Sequence, residues 1–396
     1  KGYKCITGVI GVETKGIVED FFSEINADFN VISAGQPHYK INGKVYEVPA
    51  RGGMKSLLKS AGAAPVSVEK VMSAMSRALQ WKEPSPGISL FDWIQQYTKH
   101  SGIMDVFQTL VSAALMVNLT EISARYFFKF IKELKGVNNF GYCPKGSIAL
   151  PESIGQVIQK NNGEIWTRSP VTKILTEKGI IQGAVIRNLG KDFQIDASVV
   201  ISDTGPRATV ELAGKKDFDR DYLREMEEKL IPAEIISIQI ALDEPVMKQN
   251  HLLIAGGKRI NAVYQPTIVC PELAPLGKHL LIAGAAPESS DSLADEKSRK
   301  KEIEGCIDDL RDLFPNFDDI STILLTGVYR GNWPGMHSRP GRDMPNKTPI
   351  INLYNVGDGV KQSGYTGLPS VVKSGMVVAE EVIKRMGLVK GSSKVS

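Results

Sequence analysis

The sequence lacks most of the signals that would announce a metalloprotein, a hydrolase or a membrane-spanning chain. Its four cysteines, Cys5, Cys143, Cys270 and Cys306, are scattered over 396 residues with no CxxC. Such usage argues for reduced thiols, not a disulfide frame or a zinc site. The five histidines stand alone, with no HxxxH or HxxE spacing, so nothing points to a metal. Basic residues outnumber acidic ones by a net charge of only +4, and no block of like charge builds a face for nucleic acid. The most apolar stretch, residues 102–131, is broken by Asp105, Gln108, Asn118 and Glu121. A spanning helix needs roughly 20 apolar residues. Two readings of that stretch stay open: buried helices of a cap, or a peripheral surface that dips into lipid. The expected location is therefore the cytoplasm, with or without membrane association.

Other absences narrow the chemistry. No GxSxG exists, so there is no nucleophile elbow. "GVETKG" at residues 11–16 has Walker-like glycine spacing but lacks the Lys-Ser/Thr that would meet a phosphate and its magnesium. GxGxxG is missing throughout. There are no internal repeats and no low-complexity tracts.

What is present is the composition of an ordinary globular protein, 42% hydrophobic and 23% charged. A chain of this length predicts two domains, here interleaved. A strand-like opening leads to a helix near "GIVEDFFSEI". "FNVISAGQPHYKINGKVYEVP" predicts a hairpin turning at Asn42-Gly43. Residues 54–134 have helical patterning, with Ser89 as an N-cap. A helix ending at Gly163 precedes short strands from Glu164 to Asp203. Lys215–Lys229 is predicted helical, and Ile231–Leu242, Arg259–Val269 and His279–Ala285 are predicted strands. The charged helix before Pro315 is expected to present a solvated outer face, and "ISTILLTGVYR" is a further strand.

Two stretches carry the candidate chemistry. In "INLYNVGDGVKQSGYTGLPSVVKSGMVVAEEVIKRMG", an apolar strand ends at Gly357-Asp358-Gly359. Glycine lets a ligand approach the backbone, and strand carboxyl ends are where open α/β sheets bind ligands. Asp358 there can accept hydrogen bonds from polyol hydroxyls. The helix that follows is expected to begin near Pro369, with Val371, Val372, Gly375, Val378, Ala379, Val382, Ile383 and Met386 on its buried face and Gly387 past its end. Free N–H groups near Gly367 and Leu368 offer partial positive charge. A plain strand-turn-helix with a capping Asp is the competing reading of this stretch. The second stretch, "GYCPKGSIALPESIGQVIQKNNGEIWTRSPVTKI", is a turn, a helix and a strand, and by itself reads as a simple helix-strand unit.

Together they resemble the flavin-binding parts of the phytoene-desaturase-like and amine-oxidase-like FAD oxidoreductases. The "P-x-G-G" turn and following strand of that family match Pro144, Gly146, Gly163, Ile165, Val171 and Ile174. The "nLY-x-x-GD" hallmark matches Asn352, Leu353, Tyr354, Gly357 and Asp358. "DASVVISDTGP", "KGYKCITGVIG" and "NWP" fit in order, so the resemblance covers nearly the whole chain. Ser147 stands where the second glycine of the usual pair belongs, and the N-terminal GxGxxG unit is missing.

The resemblance implies an α/β, α+β mixed fold: a Rossmann-like, glutathione-reductase-type FAD-binding domain interleaved with a substrate domain of antiparallel sheet and helical cap. Residues 1–27, 140–216 and 331–396 would be FAD-binding, and 28–139 and 217–330 substrate-binding. It also implies a chain whose first nucleotide unit is truncated, expected to bind FAD poorly for want of a pyrophosphate cradle. The other reading is a relative that uses no cofactor. Val171 would meet the adenine, Gly146 would lie in the cofactor turn, and Asp358, between Gly357 and Gly359, would bind a ribityl hydroxyl. Gly367 and Leu368 would lie at the pyrimidine edge of the flavin. Trp333, His337 and Tyr365 are placed near the flavin as substrate-lining residues, each with plain packing as the alternative role. The implied reaction is desaturation of an isoprenoid or carotenoid-like apolar substrate by hydride transfer to flavin N5, since no side chain accepts a hydride. A flavin amine oxidase and a non-catalytic prenyl or lipid carrier are the alternatives. No general base stands out in the sequence, and it leaves the oligomeric state open.

Overall fold

A computed structural model describes residues 2–49, 52–134, 140–287 and 290–387. The domain boundary expected at residue 139 lies outside the described residues, as do both chain ends.

The chain opens with β1 (Val12–Glu13) and α1 (Ile17–Glu24), then β2 (Ile32–Ser33). The predicted opening strand does not form. Residues 4 and 6 are tied down individually instead: the Lys4 N–H donates to the Leu273 carbonyl (2.9 Å) and the Ile6 N–H to Gln239 Oε1 (2.7 Å). The hairpin follows as β3 (His38–Ile41) and β4 (Lys44–Glu47). Asn42 and Gly43 turn it with φ of +50° and +76°, the geometry that makes Asn-Gly the favoured two-residue turn.

Five helices form the cap: α2 (Gly53–Ser60), α3 (Pro65–Gln80), α4 (Leu90–Gln95), α5 (Ser101–Leu115) and α6 (Ala124–Glu133). Ser89 caps α4 by accepting from the Asp92 N–H (3.0 Å). The apolar stretch that left two readings open supplies α5 and α6. Ile103, Phe107, Val111, Leu115, Phe127 and Phe128 are fully or almost fully buried within one core. Among the described residues, no helix is long and apolar enough to cross a membrane.

β5 (Phe140–Tyr142) leads to α7 (Ala149–Lys160), then to the antiparallel meander β6 (Val171–Glu177), β7 (Ile180–Asn188) and β8 (Lys191–Asp196). Residues 164–170, expected to be strand, form an irregular connection that includes a turn. Arg168 there has a positive φ of +55°, and Pro170 has no N–H to give a ladder. β9 (Val200–Ser202), α8 (Pro206–Ala213) and α9 (Arg220–Lys229) follow. α9 starts at Arg220 because Asp219 caps it, accepting from the Tyr222 N–H at 2.6 Å.

The largest sheet has seven strands in the order β14-β10-β13-β12-β11-β3-β4. Its later members are β10 (Ile235–Leu242), β11 (His251–Ile254), β12 (Ile260–Tyr264), β13 (His279–Ala285) and β14 (Ser321–Tyr329). Pro232 and Pro266 trim the predicted strands 231–242 and 259–269, because proline cannot donate to a ladder. Between β13 and β14 run α10 (Glu296–Leu313) and the short α11 (Phe317–Ile320). α10 is solvated on one side only: Cys306 and Leu310 are buried in the core it shares with β10, β12 and β13. β15 (Leu353–Asn355) lies parallel to β9, and α12 (Gly367–Arg385) closes the described chain.

One face of the seven-stranded sheet thus packs on α10. Its other face meets β5 through Tyr142, Leu280, Ile282, Cys270 and Tyr264. The site described next lies where the loops after β9 and β15 meet beside α12.

Candidate functional site

β15 and β9 run side by side in register, Asn355 opposite Ser202. Both strands therefore deliver their next residues to the same edge. After β9 these are Asp203, Thr204 and Gly205; after β15 they are Val356, then Gly357, Asp358 and Gly359. The two loops touch so closely that side chains are excluded. A Cβ on Gly357 would lie 2.2 Å from Asp203 Oδ1, and one on Gly359 would lie 2.7 Å from Pro206 Cδ. Gly357 also has φ +94°, a region open to glycine and strained for other residues. A Gly357→Ala variant is expected to lose about 1–3 kcal/mol from backbone strain alone. Differential scanning calorimetry would show this as a lower Tm, and an unchanged Tm would contradict the tight approach.

Asp358 is a partly exposed carboxylate held by one residue. The His337 ring meets it through Nδ1 at 2.6 Å from Oδ1, and the His337 backbone N–H donates to Oδ2 at 3.1 Å. Burial alone would raise the Asp358 carboxyl, but the His337 hydrogen bond and the charges of His337 and Lys361 together hold it below the usual range. The same hydrogen bond raises the His337 imidazole above its ordinary value against the effect of burial, and Asp203 adds to the rise. Burial raises the Asp203 carboxyl, and the Asp358 charge raises it further. On its other side the His337 ring lies against Gly205, where a Cβ would approach Cδ2 at 2.8 Å and Nε2 at 3.1 Å.

Beneath this pair is a fully buried cation. The Lys361 ammonium lies 2.8 Å from Asp343 Oδ1, with side-chain exposures of 0% and 8%. It also donates to the Ser338 carbonyl (2.8 Å), to Ser338 Oγ (2.7 Å) and to the Asp358 carbonyl. Ser338 Oγ donates to Asp343 at 2.5 Å. Residues 337–343 and 357–361 are therefore one knot, and the knot fixes the direction in which Asp358 points.

α12 begins at Gly367, two residues before Pro369 and earlier than the sequence suggests. Thr366, at the N-cap position, makes no capping hydrogen bond. Its hydroxyl turns away to the Met336 sulfur at 3.6 Å. Nothing lies within 4 Å of a Cβ placed on Gly367. The first N–H groups of this 19-residue helix thus have no side-chain cap from Thr366. Ser374 fastens the helix to the strand end: Ser374 Oγ accepts from the Gly357 N–H (3.2 Å). Leu368 and Val372 pack on Val18, Phe22, Cys143 and Leu150.

Of the other residues singled out in the sequence, Gly146 closes a turn onto Cys143 with φ +86°. Val171 opens β6 and is 40% exposed. Trp333 is 71% exposed, four residues from His337 and outside its hydrogen-bonded pair. Tyr365 is partly buried, and its carbonyl accepts from Tyr126 on α6 (2.7 Å), tying the cap to the approach of α12. Sequence reasoning placed His337 near the site but not on Asp358. It missed Lys361, Asp343, Ser338 and Asp203. The one available signal for Asp203 was its position directly after the strand "VVIS".

These residues fit the polyol and ring edge of a flavin. Two glycine-lined loops leave the backbone bare, a carboxylate keeps free acceptor sites, and the loop that carries it leads into an uncapped helix start. A carboxylate has about four acceptor sites, and His337 occupies one on each oxygen.

The sequence profile of the flavin containing amine oxidoreductases matches residues 11–383. A 15-cis-phytoene desaturase of Capsicum annuum is 24% identical over 346 residues, covering 82% of this chain and 57% of that protein. The Solanum lycopersicum enzyme of the same name is 23% identical over the same share. The chain thus spans little more than half the length of these relatives. Among solved structures, an oxidoreductase from Methanosarcina mazei superposes with a TM-score of 0.85 at 26% identity, over 96% of this chain and 89% of that one. A putrescine oxidase superposes at 0.61 with 15% identity, over 93% of this chain and 86% of that one, a likeness of fold.

Proposed function

This chain belongs to the flavin containing amine oxidoreductase family, and on that premise we propose that it serves an FAD-dependent desaturase or dehydrogenase of an apolar, isoprenoid-like substrate. The observation that carries the cofactor reading is Asp358, set between two glycines on the loop that leads from β15 to the uncapped start of α12. In this reading Asp358 accepts from the ribityl hydroxyls. The N–H groups of Gly367 and Leu368 donate to the pyrimidine edge, where negative charge gathers on reduction. Gly146 and Val171 serve the more distant parts of the dinucleotide. A bound flavin supplies the hydride acceptor that no side chain provides.

An apolar polyene wants a wall without charged side chains, because ions gain nothing there and their desolvation is costly. Relatives named as 15-cis-phytoene desaturases agree with this choice. Trp333, His337 and Tyr365 would line the approach of the substrate, with the domains divided at 1–27, 28–139, 140–216, 217–330 and 331–396.

Anaerobic mixing of the flavin-loaded full-length protein with candidate substrates tests this reading. Phytoene in detergent micelles is expected to bleach the flavin absorption, and putrescine to leave it unchanged. Bleaching by the amine alone would overturn the apolar assignment. A protein that binds the polyene without any bleaching would be a carrier.

A further inference from the structure

We propose that His337 is a positioning residue for the polyol site: it holds the Asp358 carboxylate ready for the flavin hydroxyls, and its protonated ring sets the pH range of tight flavin binding. The inference rests on the flavin reading above and names the regulation of that site.

The geometry assigns the role. One residue contacts both oxygens of Asp358, through ring Nδ1 at 2.6 Å and backbone N–H at 3.1 Å. These contacts fix the plane of the carboxylate and leave one acceptor site on each oxygen. Two adjacent hydroxyls of a polyol match that remaining pair. The ring cannot swing toward the loop after β9, because Gly205 already approaches its other edge so closely that only glycine fits. Asp358, unlike Asp343, keeps a quarter of its side-chain surface open, so a ligand can reach it.

The charges around the ring make its proton consequential. Asp358 and Lys361 act on it from the loop after β15, and Asp203 acts from the loop after β9. Lys361 is already engaged by Asp343. Loss of the imidazolium charge therefore leaves Asp203 and Asp358 with less positive charge to balance them, and turns the His337–Asp358 contact from an ion pair into a neutral N–H on a carboxylate. The His337 value is raised, mainly by the Asp358 hydrogen bond. The pair's contribution is thus complete below the ordinary histidine range and fades as pH rises through the raised value. The Asp358 value is lowered, so on the acid side the pair persists until pH falls through that lowered value.

The test is FAD binding by fluorescence quenching between pH 6 and 9, on full-length wild-type, His337→Asn and His337→Ala proteins. Wild-type affinity is expected to fall about tenfold toward alkaline pH as the imidazolium charge beside the carboxylate is lost. His337→Asn keeps a side-chain N–H but no titrating proton. Its profile is expected to be flat and within about threefold of the wild-type affinity at neutral pH. His337→Ala is expected to be flat and about tenfold weaker. NMR titration of the His337 ring, with no flavin present, is expected to move to lower pH in Asp358→Asn. Good wild-type binding with a flat profile would overturn the inference and spare the flavin reading. Absence of wild-type binding at every pH would overturn both.

Discussion

Asp343→Ala is expected to cost the protein about 3–5 kcal/mol of stability, the usual consequence of leaving a buried charge without its partner. Lys361 is fully buried and has one carboxylate against it. Its other contacts are the Ser338 and Asp358 carbonyls and the Ser338 hydroxyl. Those are neutral dipoles, and they cannot balance an ammonium removed from water. Ser338 loses the shorter of its two acceptors in the same change and keeps the Asp358 carbonyl. The loss should appear as a lower midpoint in urea and a Tm reduced by about 5–10 °C. Adding Lys361→Met to Asp343→Leu should recover most of the loss, because an apolar pair of similar volume often replaces a buried ion pair without penalty. A single variant as stable as the wild type would show that Lys361 is not confined as described.

Asp358→Ala is the second large effect, and it falls on binding more than on folding. It removes the carboxylate that two glycines leave bare. It also deprives the His337 ring and backbone N–H of their common acceptor. Hydrogen bonds to a charged group contribute about 1.5–3 kcal/mol, so FAD affinity should fall roughly 10- to 100-fold. The conservative Asp358→Asn keeps an acceptor oxygen for His337 and should lose less. Circular dichroism distinguishes this from unfolding: the spectrum should match the wild type while flavin retention drops. Equal retention in wild type and Asp358→Ala would remove Asp358 from the site.

Local signals made much of the fold legible in sequence. Asn42-Gly43 specified its hairpin because both positions take positive φ. Ser89 and the charged pattern of α10 marked helices whose caps and buried faces the structure contains. β11 was not legible: "HLLI" is buried along its whole length between β12 and β3, and so short an apolar run shows no period. The helix start was legible to within two residues: Pro369 lies in the first turn, and Gly367 with φ +57° begins it.

In the site, Gly357-Asp358-Gly359 was readable because its cause is local, a strand ending where the backbone must stay bare. The His337–Asp358 pair spans 21 positions and the Lys361–Ser338 bond spans 23. Such partners are set by where two loops land, and no spacing rule reaches them. Nor does any pattern distinguish Lys361, in a polar loop, from the solvated lysines around it until burial is known.

The most direct measurement on the central claim is flavin retention by the full-length protein. Wild type and Asp358→Ala would each be incubated with FAD, passed through gel filtration and scanned across the visible range. The account predicts flavin bands eluting with the wild type and strongly reduced with the variant, at matching circular dichroism. Wild-type protein that elutes colourless, or a variant that keeps the full bands, would contradict it.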